Sequence, residues 1–311
     1  MMVYGPVPSR RLGRSLGVNH VPPKTCTYSC VYCQLGRTDN LISERRHFYD
    51  PELVAASVKR KVEDYEGEID HITFVPDGEP TLDIDLGKDI EAVKGLGVKV
   101  AVICNASMLW MEDVRNDLMG ADWVSLKVDA VDADTWVRVD RPHGKLDHTA
   151  ILEGIRDFAS VYRGTLSTET MLIKGLNDGE EPKRVSTFLK ELDPDTSYVA
   201  IPTRPPAENW VKPADEEAVN RAYQVFSRVL RNVEYLIGYE GNAFASTGNF
   251  EEDLLSITAV HPMREDGVWD LLRHDDAGWE QVERLSREDK LVKLRYLDKN
   301  FYMRRISSRE N

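Results

Sequence analysis

Cysteine is scarce in this chain of 311 residues: there are four, and three of them fall within eight residues. They are too few and too close together to staple a fold of this size with disulfides, so they read as metal ligands. Long hydrophobic runs are also missing. Stretches such as Val98–Cys104 are far short of the roughly 20 residues that a membrane helix needs, and the N-terminal segment has no apolar secretion core. The expectation is a cytoplasmic protein with no membrane association. Positive charge is in deficit, with 40 Lys+Arg against 53 Asp+Glu and a net charge of −13. Such a balance repels a phosphate backbone unless cations cluster locally, which excludes generic nucleic-acid coating. No internal repeat or low-complexity tract occurs. What is present, 41% apolar and 8% aromatic residues, supports one large domain with a small appendage and excludes a disordered or fibrous chain.

Up to about residue 248 the pattern alternates between strand and helix. Strands are expected at Leu16–Asn19, Ile69–Pro76, Val98–Cys104, Trp123–Asp129, Thr165–Ile173 and Ser197–Pro202, with Val233–Ile237 as a late addition. Asp50-Pro51-Glu52 opens a helix: Asp caps, Pro takes the first position, and Glu favours the positive end of the dipole. Val54, Val58, Val62 and Tyr65 recur on one face of it. Further amphipathic helices are expected at about Asp147–Tyr162, Glu181–Leu192 and Asp215–Arg231. Repeated strand-helix units imply parallel strands with right-handed crossovers, giving a barrel, part of one, or a doubly wound sheet. Function then sits at the carboxyl ends of the strands.

From about Phe250 the pattern changes. Arg264–Arg273 and Trp279–Lys290 suit helices, and Leu291–Tyr296 and Phe301–Ile306 suit two strands around an Asp298-Lys299-Asn300 turn, an order that resembles a winged helix. The expected division is therefore 1–248 for the α/β domain and 249–311 for the small α+β domain. Residues 284–309 carry nine Lys/Arg (284, 287, 290, 293, 295, 299, 304, 305 and 309) against Glu288, Asp289 and Asp298. Either this is a solvated surface on a docking domain, or it touches nucleic acid.

The chemistry lies in Cys26, Cys30 and Cys33, spaced C-x3-C-x2-C directly after the first expected strand. Closely spaced thiolates hold iron-sulfur clusters, but a [4Fe-4S] cluster has four irons and this loop offers three sulfurs. One iron would be left open to a ligand, as the open position of a catalytic metal site is. Zinc completed by Cys104 is the alternative for the same residues, with Cys104 otherwise a core residue at a strand end.

This spacing, with aromatic Tyr32 before the third cysteine, resembles the radical S-adenosylmethionine (radical SAM) superfamily. The resemblance covers about residues 4–245 and implies a partial (β/α)6 TIM-type barrel. It also implies a [4Fe-4S] cluster whose open iron chelates SAM, a low-potential electron donor such as ferredoxin or flavodoxin, and reductive cleavage to a 5′-deoxyadenosyl radical that abstracts hydrogen from an unidentified substrate. Asp77-Gly78-Glu79-Pro80 is similar to the family's Gly-Gly-Glu-Pro motif, with Asp77 in place of the first glycine, and would receive the SAM ammonium. Asn105-Ala106-Ser107 resembles its Thr-Asn-Gly segment. Ser125 and Lys127, with Asp129, fall on one face of their strand and would hold ribose and the SAM carboxylate, unless that strand is an exposed edge. The resemblance gives Glu169 a ribose or carboxylate contact and places the Ile201 backbone beside adenine.

Arg10, Arg11, Arg14 and Arg204 are candidates for a phosphate or carboxylate on the substrate, or for surface salt bridges. Gly5 to Gly13 and Ile201 to Pro206 are similar to an uncharacterised branch near the wyosine-forming tRNA enzymes. Those hold a second cluster on additional cysteines, and Cys104 alone does not supply one. RNA or tRNA modification, activation of a partner-protein radical through the C-terminal domain, and a non-catalytic iron-sulfur or zinc DNA-binding regulator stand as alternatives.

Overall fold

The computed structural model describes residues 2–238, 244, 248–260 and 262–305. Its first half alternates short strands and helices: β1 (Val3–Ser9), β2 (Gly13–Val18), β3 (Thr25–Cys26), β4 (Asn40–Leu41), α1 (Pro51–Asp64), β5 (His71–Phe74), α2 (Leu86–Lys94), β6 (Lys99–Cys104) and α3 (Glu112–Leu118). The pattern continues through β7 (Trp123–Lys127), α4 (Ala133–Asp140), α5 (His148–Val161), β8 (Thr165–Met171), α6 (Glu181–Leu192), β9 (Thr196–Ala200), α7 (Glu216–Ser227) and β10 (Val233–Leu236). The C-terminal elements are α8 (Phe250–Val260), β11 (Met263–Arg264), α9 (Glu265–His274), α10 (Trp279–Arg287), β12 (Leu291–Tyr296) and β13 (Lys299–Arg304).

Aspartates start the crossover helices. Asp50, Asp132, Asp147 and Asp215 each place a carboxylate on a backbone N–H of the first turn, which would otherwise have no partner. Behind the Asp50 cap, Val54 and Val58 are fully buried.

Eight strands form one sheet in the order β1-β2-β5-β6-β7-β8-β9-β10. β1 is antiparallel to β2, and every later neighbour is parallel, so strand order follows chain order from β2 onward. The sheet curls into a partial TIM-type barrel with β1 and β10 at its edges. All seven expected strands are present, Val233–Leu236 being the seventh parallel one. β1 had no sequence signal, because Gly5-Pro6-Val7-Pro8-Ser9 reads as turn residues. An edge strand needs only one side of its backbone paired, and a register shift between Tyr4 and Val7 accommodates the prolines.

Alternation along the parallel strands separates two environments. Val100 and Val102, Val124 and Leu126, and Val199 turn outward and share a core with Phe158, Phe188 and Phe226 from the helices. On the other face Leu12, Ala101, Trp123 and Tyr198 pack together and form an apolar floor inside the barrel. Ser125 and Lys127 lie above Trp123 on that same inner face. Because β7 lies between β6 and β8, it is not an exposed edge.

The C-terminal strands form a separate three-stranded sheet in the order β11-β13-β12. Its helices and sheet share a core with Tyr4 and Val7 of β1, which join Phe250, Leu254, Met263, Leu271, Leu285 and Tyr302. The hairpin turn falls at Leu297-Asp298, one residue earlier than the sequence suggested, and Lys299 already pairs with Tyr296. Both turn residues have positive φ, 46° and 60°, the backbone of a two-residue turn that matches strand twist. Ile306 and Arg309 lie outside the described residues.

Asp50→Ala is expected to cost about 1 kcal/mol of stability, and Asp50→Asn to cost little, because Asn also accepts the Glu52 N–H. Denaturant midpoints of the two variants check this.

Candidate radical SAM active site

The cysteine loop has little regular structure, so its position depends on what it is tied to. β3 and β4 form a two-residue parallel clip, Thr25 with Asn40 and Cys26 with Leu41. The Lys24 N–H donates to the Asp77 carbonyl at 2.6 Å, and the Glu79 N–H donates to the Thr25 carbonyl at 3.1 Å. Between them Gly78 lies so close that a Cβ there would fall 2.0 Å from the Thr25 oxygen. Only glycine permits that approach. Farther along, Ser29 and Val31 donate to the carbonyls of Asp140 and Val139 at the end of α4, and Trp136 Nε1 donates to the Tyr28 hydroxyl at 3.1 Å. Glu208 completes the clamp. Its N–H donates to the Val31 carbonyl, and its carboxylate pairs with Arg37 at 2.8 Å and with Arg141.

Cys26 Sγ accepts from the Tyr28 N–H at 3.5 Å and from Asn105 Nδ2 at 3.6 Å, while the Cys30 thiol donates to Asp140 Oδ1 at 3.4 Å. Burial pushes the Cys26 thiol up to about 12, with Glu79 and Cys33 adding to the effect, and Cys30 and Cys33 are pushed up as well, chiefly by burial. The three sulfurs thus lie within electrostatic reach of one another, where three thiolates coexist only around positive charge. Among the described residues no three His, Cys, Asp or Glu side chains gather as ligands of a single ion. A cluster that takes each thiolate on a different iron fits this set better than one zinc does. Cys104 belongs to the helix-side core and is 3% exposed.

The acidic turn after β5 is largely committed to this loop. Glu79 is buried, and its carboxylate accepts from the Thr81 N–H and hydroxyl and from the Asn105 N–H at 2.8 Å. Burial pushes it up to about 7. Asn105 in turn donates to Thr27 Oγ1 at 2.8 Å. Ala106, in the segment that lacks the resembling motif's glycine, holds a φ of 64°. Asp77 pairs twice with Asn19, and its Oδ1 has no partner.

Inside the barrel a chain of charged groups begins at the floor. Lys127 and Glu169 are register partners on β7 and β8, and their side chains meet at 2.7 Å. Glu169 also takes Arg11, which reaches in from the β1–β2 turn. Lys127 lies 4.8 Å from the Tyr32 ring centroid and 3.8 Å from Asp129 Oδ1, and the Tyr32 hydroxyl donates to Asp129. Burial pushes Glu169 up, but Lys127 and Arg11 outweigh it and hold the carboxyl down at about 2. Burial likewise lowers Lys127, and Asp129 and Glu169 reverse that, raising it to about 12.

The structure therefore brings together two sets of the expected residues. Cys26, Gly78, Glu79 and Asn105 form one set, and Tyr32, Lys127 and Glu169 the other. Ser125 is buried one step below Lys127, and half-buried Ile201 follows β9 at the lip. Arg14 stands apart at the far end of β2 in exposed pairs with Glu68 and Asp70, so it is a surface residue and not a substrate group. Asp140, Arg141 and Glu208 had no sequence signal. Asp140 meets Cys30 across 110 residues and Glu208 meets Arg37 across 171, while Arg141 joins Glu208 from 67 residues away.

A cysteine-bearing loop over the carboxyl ends of a partial barrel defines an iron-sulfur enzyme site, and the comparisons agree. The family model described as the radical SAM superfamily matches residues 21–186, and the chain belongs to that superfamily. A UPF0026 protein of Methanocaldococcus jannaschii is 45% identical over 99% of this chain and 98% of its own length. A UPF0026 protein of Helicobacter pylori is 36% identical over 70% of this chain and 71% of its own. Among solved structures, TYW1 with a lysine-pyruvate adduct bound matches with a TM-score of 0.53 at 16% identity, over 70% of this chain and 74% of that one. Streptococcus suis SuiB bound to S-adenosylmethionine matches with a TM-score of 0.53 at 14% identity, over 70% of this chain and 49% of that one. These likenesses establish the barrel. Enzymes of the superfamily use a [4Fe-4S] cluster and SAM and need a reductant. No helix among the described residues is long and apolar enough to cross a membrane.

Two outcomes follow from the geometry. Glu169→Gln leaves Arg11 and Lys127 without their carboxylate and is expected to destabilise the protein by about 3–5 kcal/mol in denaturant titrations. The wild-type carboxylate contributes stability that is present above pH 4.5 and lost as the pH falls toward 2, on the order of 3 kcal/mol. A Gln variant whose acid unfolding follows the wild-type curve in that window would refute the assignment.

Proposed function

We propose that this chain cleaves SAM reductively at a [4Fe-4S] cluster held by Cys26, Cys30 and Cys33, and directs the resulting radical at a substrate bound inside the barrel. The observation that carries the reading is the placement of the three thiols. They lie on one clamped loop at the barrel mouth, within electrostatic reach of one another and beside the Tyr32–Lys127–Glu169 group. When bound there, the reduced cluster supplies one electron to the SAM sulfonium, releasing methionine and a 5′-deoxyadenosyl radical.

The protein's own residues position and exclude. The turn after β5 offers the Asp77 and Gly78 backbone carbonyls and the Glu79 carboxylate to the SAM ammonium, and Asn105 holds that turn against Cys26. Lys127, fixed by Glu169, presents an ammonium to the SAM carboxylate, and Ser125 a hydroxyl to ribose. The Ile201 backbone lies beside adenine, and Tyr32 shields one side of Lys127. The apolar floor at Leu12, Trp123 and Tyr198 keeps water from the far end, which a reactive carbon radical requires. A low-potential ferredoxin or flavodoxin is the donor class, in the cytoplasm.

For the C-terminal elements we propose a winged-helix module over 249–311, on the strength of the order α8-β11-α9-α10-β12-β13 and sheet order β11-β13-β12. Its basic stretch favours a solvated surface over an RNA face. Arg284, Lys290, Lys293, Arg295 and Arg305 each have an acidic partner, chiefly Glu251, Glu265, Glu288 and Asp289.

Anaerobic reconstitution followed by dithionite and SAM tests the reading. Cys30→Ala is expected to lose both iron-sulfur absorbance and 5′-deoxyadenosine, whereas Cys104→Ala retains both. Equal loss in Cys104→Ala, or tetrahedral zinc without acid-labile sulfide in the wild type, overturns it.

A further inference from the structure

A cavity of about 140 Å³ lies inside the barrel between β1, β2, β5 and the end of the cysteine loop. At roughly 30 Å³ per water it has room for about five waters, and so for a small molecule only. Tyr4, Val7, Leu12, Val75 and Ile103 supply its apolar wall. Three charged groups also face it. Arg11 reaches up from the β1–β2 turn to Glu169, the register partner of Lys127 at the end of β7, and Arg204, which follows β9, and Asp77, which follows β5, stand at the mouth. Arg204 donates to Gln34, the residue after Cys33, so this wall adjoins the cysteine loop.

Two of these groups are incompletely satisfied. Asp77 is 2% exposed, and its Oδ1 has no hydrogen-bond partner although Oδ2 is held by Asn19. Arg11 gives one nitrogen to Glu169, and its buried Nε has no partner. Buried polar atoms without partners are rare because each forfeits its hydration with nothing in return. An acceptor and a donor in that condition on the wall of one cavity are complementary to a ligand that carries both a cation and an anion. The mouth is also covered from outside. The Tyr296 hydroxyl in β12 donates to the Pro202 carbonyl at 2.9 Å, two residues before Arg204, so the C-terminal hairpin is fastened to the lip.

Resting on the radical SAM reading above, we propose that this cavity is the substrate site. It takes a small zwitterion of amino-acid size, whose carboxylate or phosphate lies on Arg11 and Arg204 and whose ammonium is received by Asp77 Oδ1. The backbone of this turn and the Glu79 carboxylate serve the cysteine loop and SAM, which leaves the Asp77 carboxylate for this role. The ligand's middle then lies along the apolar wall beside the cysteine loop.

Calorimetric titration of the anaerobic, reconstituted enzyme, saturated with SAM, tests this. The probes are 4-aminobutanoate, 3-aminopropylphosphonate, succinate and butylamine. At least one of the two zwitterions is expected to bind tenfold or more tightly than succinate and butylamine, and the tighter of the two assigns the anion as carboxylate or phosphate. Asp77→Asn is expected to weaken that zwitterion at least tenfold and leave succinate unchanged. Arg204→Gln is expected to weaken zwitterion and succinate alike and leave butylamine unchanged. Equal binding of all probes, no binding of any, displacement of SAM by the zwitterion, or an Asp77→Asn variant that binds as the wild type does would each overturn the proposal. 5′-Deoxyadenosine measured in the same preparation separates the two readings. Its release alongside a failed titration sinks the substrate site alone, and its absence sinks the parent reading.

Discussion

The site depends on a close backbone approach: the turn at Gly78 passes directly over the Thr25 carbonyl with no room for a side chain. The cysteine loop has almost no secondary structure of its own. Its three thiols are held at the barrel mouth because the Asp77–Glu79 turn accepts from and donates to Lys24 and Thr25 on one side. On the other side, the end of α4 and Glu208 hold residues 28–31. A metal-binding loop must present its donors before the metal arrives, or ordering the chain costs binding energy. Here ordinary backbone hydrogen bonds to the barrel do that ordering. The Glu79 carboxylate is a bracket between the ends of β5 and β6.

The second organising feature is the buried row Arg11, Glu169, Lys127, Asp129 and Tyr32. Charges taken out of water are tolerable only when paired and hydrogen-bonded, and the register of β7 against β8 supplies the central pair. The row makes this part of the barrel interior polar. Glu169, Lys127, Asp129 and Tyr32 are satisfied within the row, whereas Arg11 at its end gives one nitrogen to Glu169 and leaves Nε without a partner, as Asp77 Oδ1 is. A saturated network rigidifies a site, while unsatisfied groups mark where something else binds.

The C-terminal elements contribute less through their charge than through their position. They share an apolar core with β1, the antiparallel strand that ends the sheet, and so cover one edge of an otherwise open barrel. From there the β12–β13 hairpin reaches Pro202 at the other side of the mouth. Five of the basic residues in this stretch, Arg284, Lys290, Lys293, Arg295 and Arg305, have acidic partners, which offsets much of its local positive charge.

Much of this was legible in order of residues. The C-x3-C-x2-C spacing, the seven parallel strands and the helices beginning at Asp50, Asp147, Glu181 and Asp215 are local features: ligand spacing, apolar periodicity and capping act over a few residues, so they survive in a linear string. The placement of Ser125 and Lys127 on one strand face followed from the period of two. What the tertiary structure decided are contacts between distant positions. Glu208 clamps Arg37 and Arg141, Arg11 reaches up from the β1–β2 turn to Glu169, Asn19 holds Asp77, and the Pro-rich lead becomes an edge strand because a neighbour pairs with one side of it. A carboxylate's partner depends on which strand ends meet at the same mouth. That is a property of sheet order and curvature, which no single segment encodes.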